Sequence, residues 1–376
     1  MLSNNRSRIL FVSTSSLFYG SERVLFEIIK SLGLNYEVHI LLPAEGVFSE
    51  KLKMIPGITI HAGTFPTLIV KPANILSLLL QLPSLLFRYR KLFNHIQPNV
   101  LYINGMSSLS MSIVGKLLRC KTICHIHDKN GKKIDGWVYS FLVKFCCDKV
   151  IFISKYVQTT YLEKMPSIRA KSRVIYNGVN LKEVSKHCNP SSFSSGDYVT
   201  FLIVARLETQ KNIIDAINAL ENVLKRRSSV RLLIVGDGTK RAELTQIIKE
   251  RGLVEAVELI GYSENVDQFY DLADVVLCPF IGEGFGLVAV EAMAARKPII
   301  AAADGGLLEI VEEGETGFFY TPGNYEELAR KMEALINAEL RAVMGVNGQS
   351  RACNFSQERQ NEAIAFEISE LLKSRL

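Results

Sequence analysis

The chain has 376 residues, 48% of them apolar and 22% charged, which suits two domains with sizeable cores and argues against a disordered chain. The net charge of +6 conceals an asymmetry: residues 1–185 carry 24 Lys/Arg against 10 Asp/Glu, or +14, and the rest 20 against 28, or −8. The seven cysteines lack metal-site spacing and are odd in number, which favours a reducing cytoplasm over a disulfide framework.

The polar start Met-Leu-Ser-Asn-Asn has no apolar signal-peptide core, so a cytoplasmic protein is expected. "RILFVSTS" at 8–15 reads as a first buried strand. "SERVLFEIIKSL" at 21–32 reads as an amphipathic helix with Val24, Leu25, Ile28, Ile29 and Leu32 on one face. Strand-like "EVHILLP", "ITIHAG", "NVLYING", "KTICHIH", "KVIFIS" and "SRVIYNG" follow. Within "PANILSLLLQLPSLLFRYRKLF" at 72–93, the apolar stretch from Ile75 to Phe87 is broken by Gln81 and Pro83 and falls short of the roughly 20 residues of a membrane span. With Arg88, Arg90 and Lys91 at its end, it is read either as a segment lying on an anionic membrane surface or as a buried helix kinked at Pro83.

A Pro/Ser/Gly-rich stretch without periodicity, 187–198, marks a linker, after which the alternation restarts with "VTFLIVARL", "IIDAINALENVLKRR", "VRLLIVGDG" and "KRAELTQIIKERGL". "VELIGY", "ADVVLCPF" and "KPIIAAA" continue it. Strands alternating with helices imply an α/β protein with parallel sheets: two Rossmann-like doubly wound domains, 1–186 and 199–355, facing a central cleft. The terminal helical run 356–376 is free to pack on either domain, including by crossing back to the N-terminal one.

Sites in such folds follow the carboxyl ends of strands. Gly20 and Ser21 after the first strand suit close approach of an anion to a helix start; equally, Ser21 reads as an N-cap with Glu22 in the first turn. No GxGxxG is present, which counts against a dinucleotide site. In "HIHD", period-two alternation puts His125 and His127 on one face. His127 lies at the strand end with Asp128, either contacting substrate or structural, and His125 lies deeper; no third ligand supports zinc. Arg206 and Lys211 bracket a loop that either holds a diphosphate or is simply solvated. Gly236 and Gly238 are a weak signal, since Asp-Gly is also a plain turn.

"FIGEGFGLVAVEA" at 280–292 is the most informative stretch. A strand-to-helix loop with glycines carries Glu283, and the helix carries Glu291. The amides of Phe285, Gly286 and Leu287 open that helix, an anion site by dipole and geometry. The two carboxylates flank this cradle and do not cluster as a metal site would. "ADGG" follows the next strand with Gly305, Gly306 and, further on, Glu309.

Gly20-Ser21-Glu22, Asn177-Gly-Val, Arg206 with Lys211, Glu283-Gly-Phe-Gly with Glu291, and Asp304-Gly-Gly together resemble the retaining GT-B glycosyltransferases of family four, the glycosyl transferases group 1. The resemblance spans most of the chain and is strongest over 173–322. It implies that the C-terminal domain binds a nucleotide-sugar donor, with a UDP-sugar expected over a GDP-sugar. Arg206 and Lys211 would hold the diphosphate, Glu283 the sugar, Glu291 the ribose, with Gly261 and Tyr262 near the base. The backbone of Phe285, Gly286 and Leu287 would add donors. Gly20 would lie near the diphosphate and His127 beside the transferring sugar. No metal or other cofactor is implied, because Arg, Lys and helix dipole replace the divalent cation.

The implied acceptor is a glycan or lipid-linked glycan, as in capsule, O-antigen, lipopolysaccharide or exopolysaccharide assembly, with peripheral attachment to the inner membrane face through 72–93. A nucleotide-sugar 2-epimerase and a non-catalytic partner subunit are the competing readings. No aromatic-interleaved basic motif supports nucleic-acid binding. Three departures stand out: Tyr19 where a first glycine is common, Phe280 where a small residue often follows the proline, and the two histidines of "HIHD", where the role goes to His127 over His125 only because Asp128 follows it.

Overall fold

The computed structural model describes residues 6–65, 72–128, 136–186, 198–227 and 229–373. The chain forms two compact units, Met1–Gly178 with Glu358–Leu376, and Val179–Gln357. The boundary falls at Gly178/Val179, ahead of the expected linker, of which 187–197 lie outside the described residues.

The first unit is built on seven parallel strands: β1 (Arg8–Ser13), β2 (Glu37–Leu42), β3 (Ile58–Ala62), β4 (Val100–Asn104), β5 (Lys121–Ile126), β6 (Lys149–Phe152) and β7 (Ser172–Val174). Their order is β3-β2-β1-β4-β5-β6-β7, so the winding reverses between β1 and β4. Ile9 lies beside Val38 on one side and Val100 on the other. Ile9, Leu10, Phe11 and Val12 are all fully buried. A strand covered on both faces reads as a continuous apolar run, which is how β1 appears in the sequence.

The second unit repeats the plan with six strands: β8 (Val199–Val204), β9 (Val230–Val235), β10 (Val257–Gly261), β11 (Val275–Cys278), β12 (Ile299–Ala302) and β13 (Gly317–Tyr320). Their order is β10-β9-β8-β11-β12-β13, reversing between β8 and β11.

Both units share a stitch between neighbouring strands. The Thr122 amide donates to Asp148 Oδ2 and the Asp148 amide returns a bond to Thr122 O, each 2.8 Å. Thr200 and Asp274 do the same at 2.8 Å and 2.8 Å. Each aspartate is the residue just ahead of β6 or β11, so it sets where that strand begins against its neighbour.

The helix Gly20–Leu32 buries Val24, Leu25, Ile28, Ile29 and Leu32, as its periodicity requires. Its N-cap is Tyr19, and Ser21 is already helical, so the N-cap reading of Ser21 is corrected. The helix Pro72–Ile96 runs through Pro83. Its later half is amphipathic, with Leu85, Tyr89, Phe93 and Ile96 buried and Phe87, Arg88, Arg90 and Lys91 exposed, so this half is not the wholly buried helix of one reading.

The last helix, Gln357–Lys373, belongs to the first unit from Glu358 onward. Ile364, Ile368 and Leu371 are buried. Glu367 pairs with Lys149 and, at 3.7 Å, with Arg173. Gln360 accepts the Gly178 amide at 2.9 Å. Among the described residues, no helix is long and apolar enough to cross a membrane.

Candidate functional site

Of the predicted donor residues of the second unit, Arg206, Lys211, Glu283, Phe285 and Gly286 lie on the loops after β8 and β11, the pair of strands that flank its switch point. After β8 the exposed Arg206 precedes Leu207, which is fully buried and anchors the loop. A short 3-10 turn, Thr209–Lys211, then leads to Asn212, whose φ of 45° opens the helix Ile213–Leu224. Asp215 holds that opening: its Oδ2 accepts from Asn212 Nδ2 at 2.5 Å, the Gly323 amide at 2.8 Å and Tyr320 Oη at 3.1 Å. Glu208 Oε2 accepts from Thr239 Oγ1 at 2.8 Å, which holds its carboxyl below the usual range.

The two loops meet. The Ile281 amide donates to Gln210 O at 2.8 Å. The Lys211 ammonium forms an ion pair with Glu283, and Nζ lies 4.2 Å from the centroid of the Phe280 ring. Cys278 is buried at the end of β11, within the field of Lys211, Glu283 and Glu291. Burial foremost raises its thiol pKa well above the ordinary range, and the thiol stays neutral.

The glycines around Glu283 have geometric causes. The Gly282 amide, at φ 67°, donates to Asp304 Oδ2 at 2.7 Å, and the Gly306 amide donates to Glu283 O at 2.8 Å. A Cβ on Gly305 or Gly306 would stand 2.5 Å from Glu283 O or Gly284 O. The Asp-Gly-Gly loop is therefore the bed on which the Glu283 loop lies. Phe285 turns its side chain into the core, 5.7 Å and edge-on to Phe355. That leaves its backbone at the start of the helix Leu287–Ala294, whose N-cap is Gly286 and which no side chain caps. First-turn amides of a helix lack intrahelical acceptors, which suits an anion.

Glu291 sits within this helix, nearly buried, and accepts from Tyr270 Oη at 2.9 Å. Gly261 closes β10 at φ 98°, its carbonyl accepting the Gly236 amide at 2.7 Å, and the next residue, Tyr262, is exposed. Gly236 and Gly238 approach the backbone of Ala205 and Leu207 so closely that any Cβ would clash, which is a packing role.

In the first unit, His125 is fully buried, with Nδ1 2.8 Å from Tyr102 Oη. His127 lies just past the end of β5 and is only partly buried; the two rings are 4.1 Å apart. His127 Nε2 is 2.7 Å from Asn104 Oδ1. With the amide oxygen facing the ring, Nε2 carries the proton and Nδ1 is the acceptor, which has no partner among the described residues. Burial pushes the His127 pKa down to about 4, so the ring is neutral at pH 7. Gly20 is the first residue of its helix. Glu22, in the first turn of that helix, accepts from Ser21 Oγ at 2.9 Å; burial raises its pKa.

Arg206, Lys211, Gly261, Tyr262, Glu283, Phe285, Gly286, Leu287 and Glu291 thus all lie in the second unit, and Lys211 and Glu283 touch. Gly20 and His127 lie in the first unit, Gly20 at the start of the helix that follows β1 and His127 just past the end of β5. The sequence reading missed Tyr270 as the partner of Glu291 and Phe280 as the partner of Lys211. Only the misfit of Phe280 to the family pattern hinted at the second. Among the described residues, no group of three or more His, Cys, Asp or Glu could hold a metal ion.

The chain matches the family Glycosyltransferase Family 4 over residues 18–183 and the family Glycosyl transferases group 1 over residues 189–351. It is 32% identical over 268 residues to an uncharacterized glycosyltransferase of Methanocaldococcus jannaschii, covering 68% of this chain and 72% of that one. It is 23% identical to the N-acetylgalactosamine-N,N'-diacetylbacillosaminyl-diphospho-undecaprenol 4-alpha-N-acetylgalactosaminyltransferase of Campylobacter jejuni, covering 90% and 93% of the two chains. The crystal structure of Anabaena HepE in complex with UDP-glucose superposes with a TM-score of 0.79 at 26% identity, covering 96% of this chain and 99% of that one.

Proposed function

This chain belongs to the GT-B glycosyltransferases of family four, the glycosyl transferases group 1, and on that premise we propose that it is a retaining, metal-independent transferase. It moves a hexosyl or N-acetylhexosaminyl group from a nucleotide sugar, a UDP-sugar ahead of a GDP-sugar, to a glycan or lipid-linked glycan of a surface polysaccharide. The observation that carries the donor site is the meeting of Lys211 and Glu283 at the switch point of the second sheet, beside an uncapped helix start. The bound UDP-glucose of the Anabaena neighbour supports the base, and the lipid-linked acceptor named for the Campylobacter relative supports the acceptor class.

In this reading Arg206 and Lys211 neutralise the departing diphosphate, and the Phe285–Leu287 amides add to them. These charges do the work a divalent cation would otherwise do. Glu283 accepts from the sugar hydroxyls, Glu291 from the ribose, and Gly261 and Tyr262 border the base. Gly20 lets the backbone approach the diphosphate. His127, a neutral ring with Nδ1 as acceptor, takes a hydroxyl of the transferring sugar. Retention follows if the leaving oxygen takes the acceptor proton on the face it departs from. The exposed Phe87, Arg88, Arg90 and Lys91 support peripheral attachment to the anionic inner face of the cytoplasmic membrane.

Thermal shift against a panel of UDP- and GDP-sugars tests the donor, since binding stabilises the folded state by mass action. Transfer with EDTA present, and NMR of the anomeric configuration in the product, test the mechanism. Conversion of donor to an epimer without acceptor would establish the epimerase reading instead. Sedimentation with anionic liposomes at low salt tests the membrane; protein left in the supernatant removes that part.

A further inference from the structure

We propose that Phe280 is a positioning residue for the diphosphate site, its ring face holding the Lys211 ammonium between the loops after β8 and β11. This deepens the transferase reading and rests on it.

The ring is 1% exposed, two residues past the end of β11, and cannot turn away without opening the core. Lys211 Nζ stands 4.2 Å from its centroid, well within the range of a cation over an aromatic face. The Lys211 side chain keeps 19% of its surface exposed, so it is not sealed in the core as the ring is. Glu283 supports the other flank.

The choice of an aromatic group has a physical reason. A lysine stem has four rotatable bonds, and a small residue at 280 would leave it one anchor, the carboxylate of Glu283. A second carboxylate would restrain the ammonium too, but would cancel the charge that a diphosphate needs. An aromatic face attracts the cation through its quadrupole and carries no net charge. With one of the three donors on Glu283 and one facing the ring, a third is left for a phosphate oxygen. Phe280 restrains the ammonium without neutralising it, which accounts for a bulky residue where the family pattern has a small one.

The test replaces Phe280 with phenylalanine carrying one, two and three ring fluorines, which weakens the quadrupole stepwise and keeps the shape. UDP and GDP, each alone, are the probes, measured by calorimetry, with the melting temperature of the unliganded protein as the control. For whichever diphosphate the unmodified protein binds, affinity should fall stepwise by about 2- to 30-fold over the series, beyond what the small accompanying loss of melting temperature explains. Equal affinities across the series, or a fall that only tracks lost melting temperature, would overturn the inference. If the unmodified protein binds neither diphosphate, the donor-site reading fails first, and that outcome is distinct from the other two.

Discussion

Lys211 and Glu283, 72 residues apart, form an ion pair that joins the loop after β8 to the loop after β11. The pair sets a cation against a carboxylate, so each holds the other in place. Lys211→Ala and Glu283→Gln should each lower kcat for sugar transfer by about 10²–10³-fold. The double variant should lose less than the sum of the two, because contacting residues are energetically coupled. Steady-state kinetics with the preferred nucleotide sugar check this, and strict additivity would mean the pair has no shared role.

Gly306→Ala should damage activity far more than Gly314→Ala. A Cβ at 306 meets Gly284 O at 2.5 Å and pushes on the loop that bears Glu283. At 314 the space is open, and only the φ of 77° resists a side chain, at a cost of about 1 kcal/mol. Donor affinity and urea unfolding of both variants separate loop displacement from simple destabilisation.

His127 should make the first unit sensitive to acid. Its folded pKa of about 4 lies below the unfolded value near 6.5, so below pH 6.5 the unfolded chain binds a proton that the folded state refuses. Stability from this group falls between pH 6.5 and 4, by about 2 kcal/mol at pH 5. His125 and His61, also held low by burial, act in the same direction. Glu22 opposes them: its raised pKa favours the folded state at low pH, an advantage lost as pH rises through that pKa. Urea unfolding at pH 7 and pH 5 should show the loss, and His127→Asn should reduce it.

Removing residues 358–376 should loosen the first unit and leave the second intact. The helix carries the buried Ile364, Ile368 and Leu371, each worth roughly 1.5–3 kcal/mol, together with the Glu367 pairs. Hydrogen exchange should then speed up in β6 and β7 while β8, β11 and β12 keep their protection. Equal loss in both units would contradict the assignment of this helix.

Much of the architecture was legible from local pattern. Apolar strand runs such as Arg8–Ser13 and Val199–Val204, alternating with amphipathic helices, sufficed for two doubly wound sheets. The Glu-Gly-Phe-Gly and Asp-Gly-Gly runs marked the loops of the candidate site because glycine there answers a backbone demand. Ser21 misled, because Ser is the usual cap, whereas here Tyr19 stands at the N-cap and its side chain makes no capping bond. The destination of the last helix was not legible: its periodicity shows an apolar face but does not name the surface that covers it.

The sequence by itself determined the order of strands and helices, the residue types at each strand end and the positions where only glycine fits, since these depend on periodicity and steric rules acting over a few residues. Only the tertiary structure decided that Glu283 meets Lys211, that the Phe280 ring lies against the same ammonium, that Asp304 holds Gly282 and that Tyr270 takes Glu291. Those contacts join segments up to 72 residues apart in sequence, brought together by the parallel register of β8, β11 and β12. No local propensity encodes such a pairing; it emerges once the sheet is wound and its strand ends lie side by side.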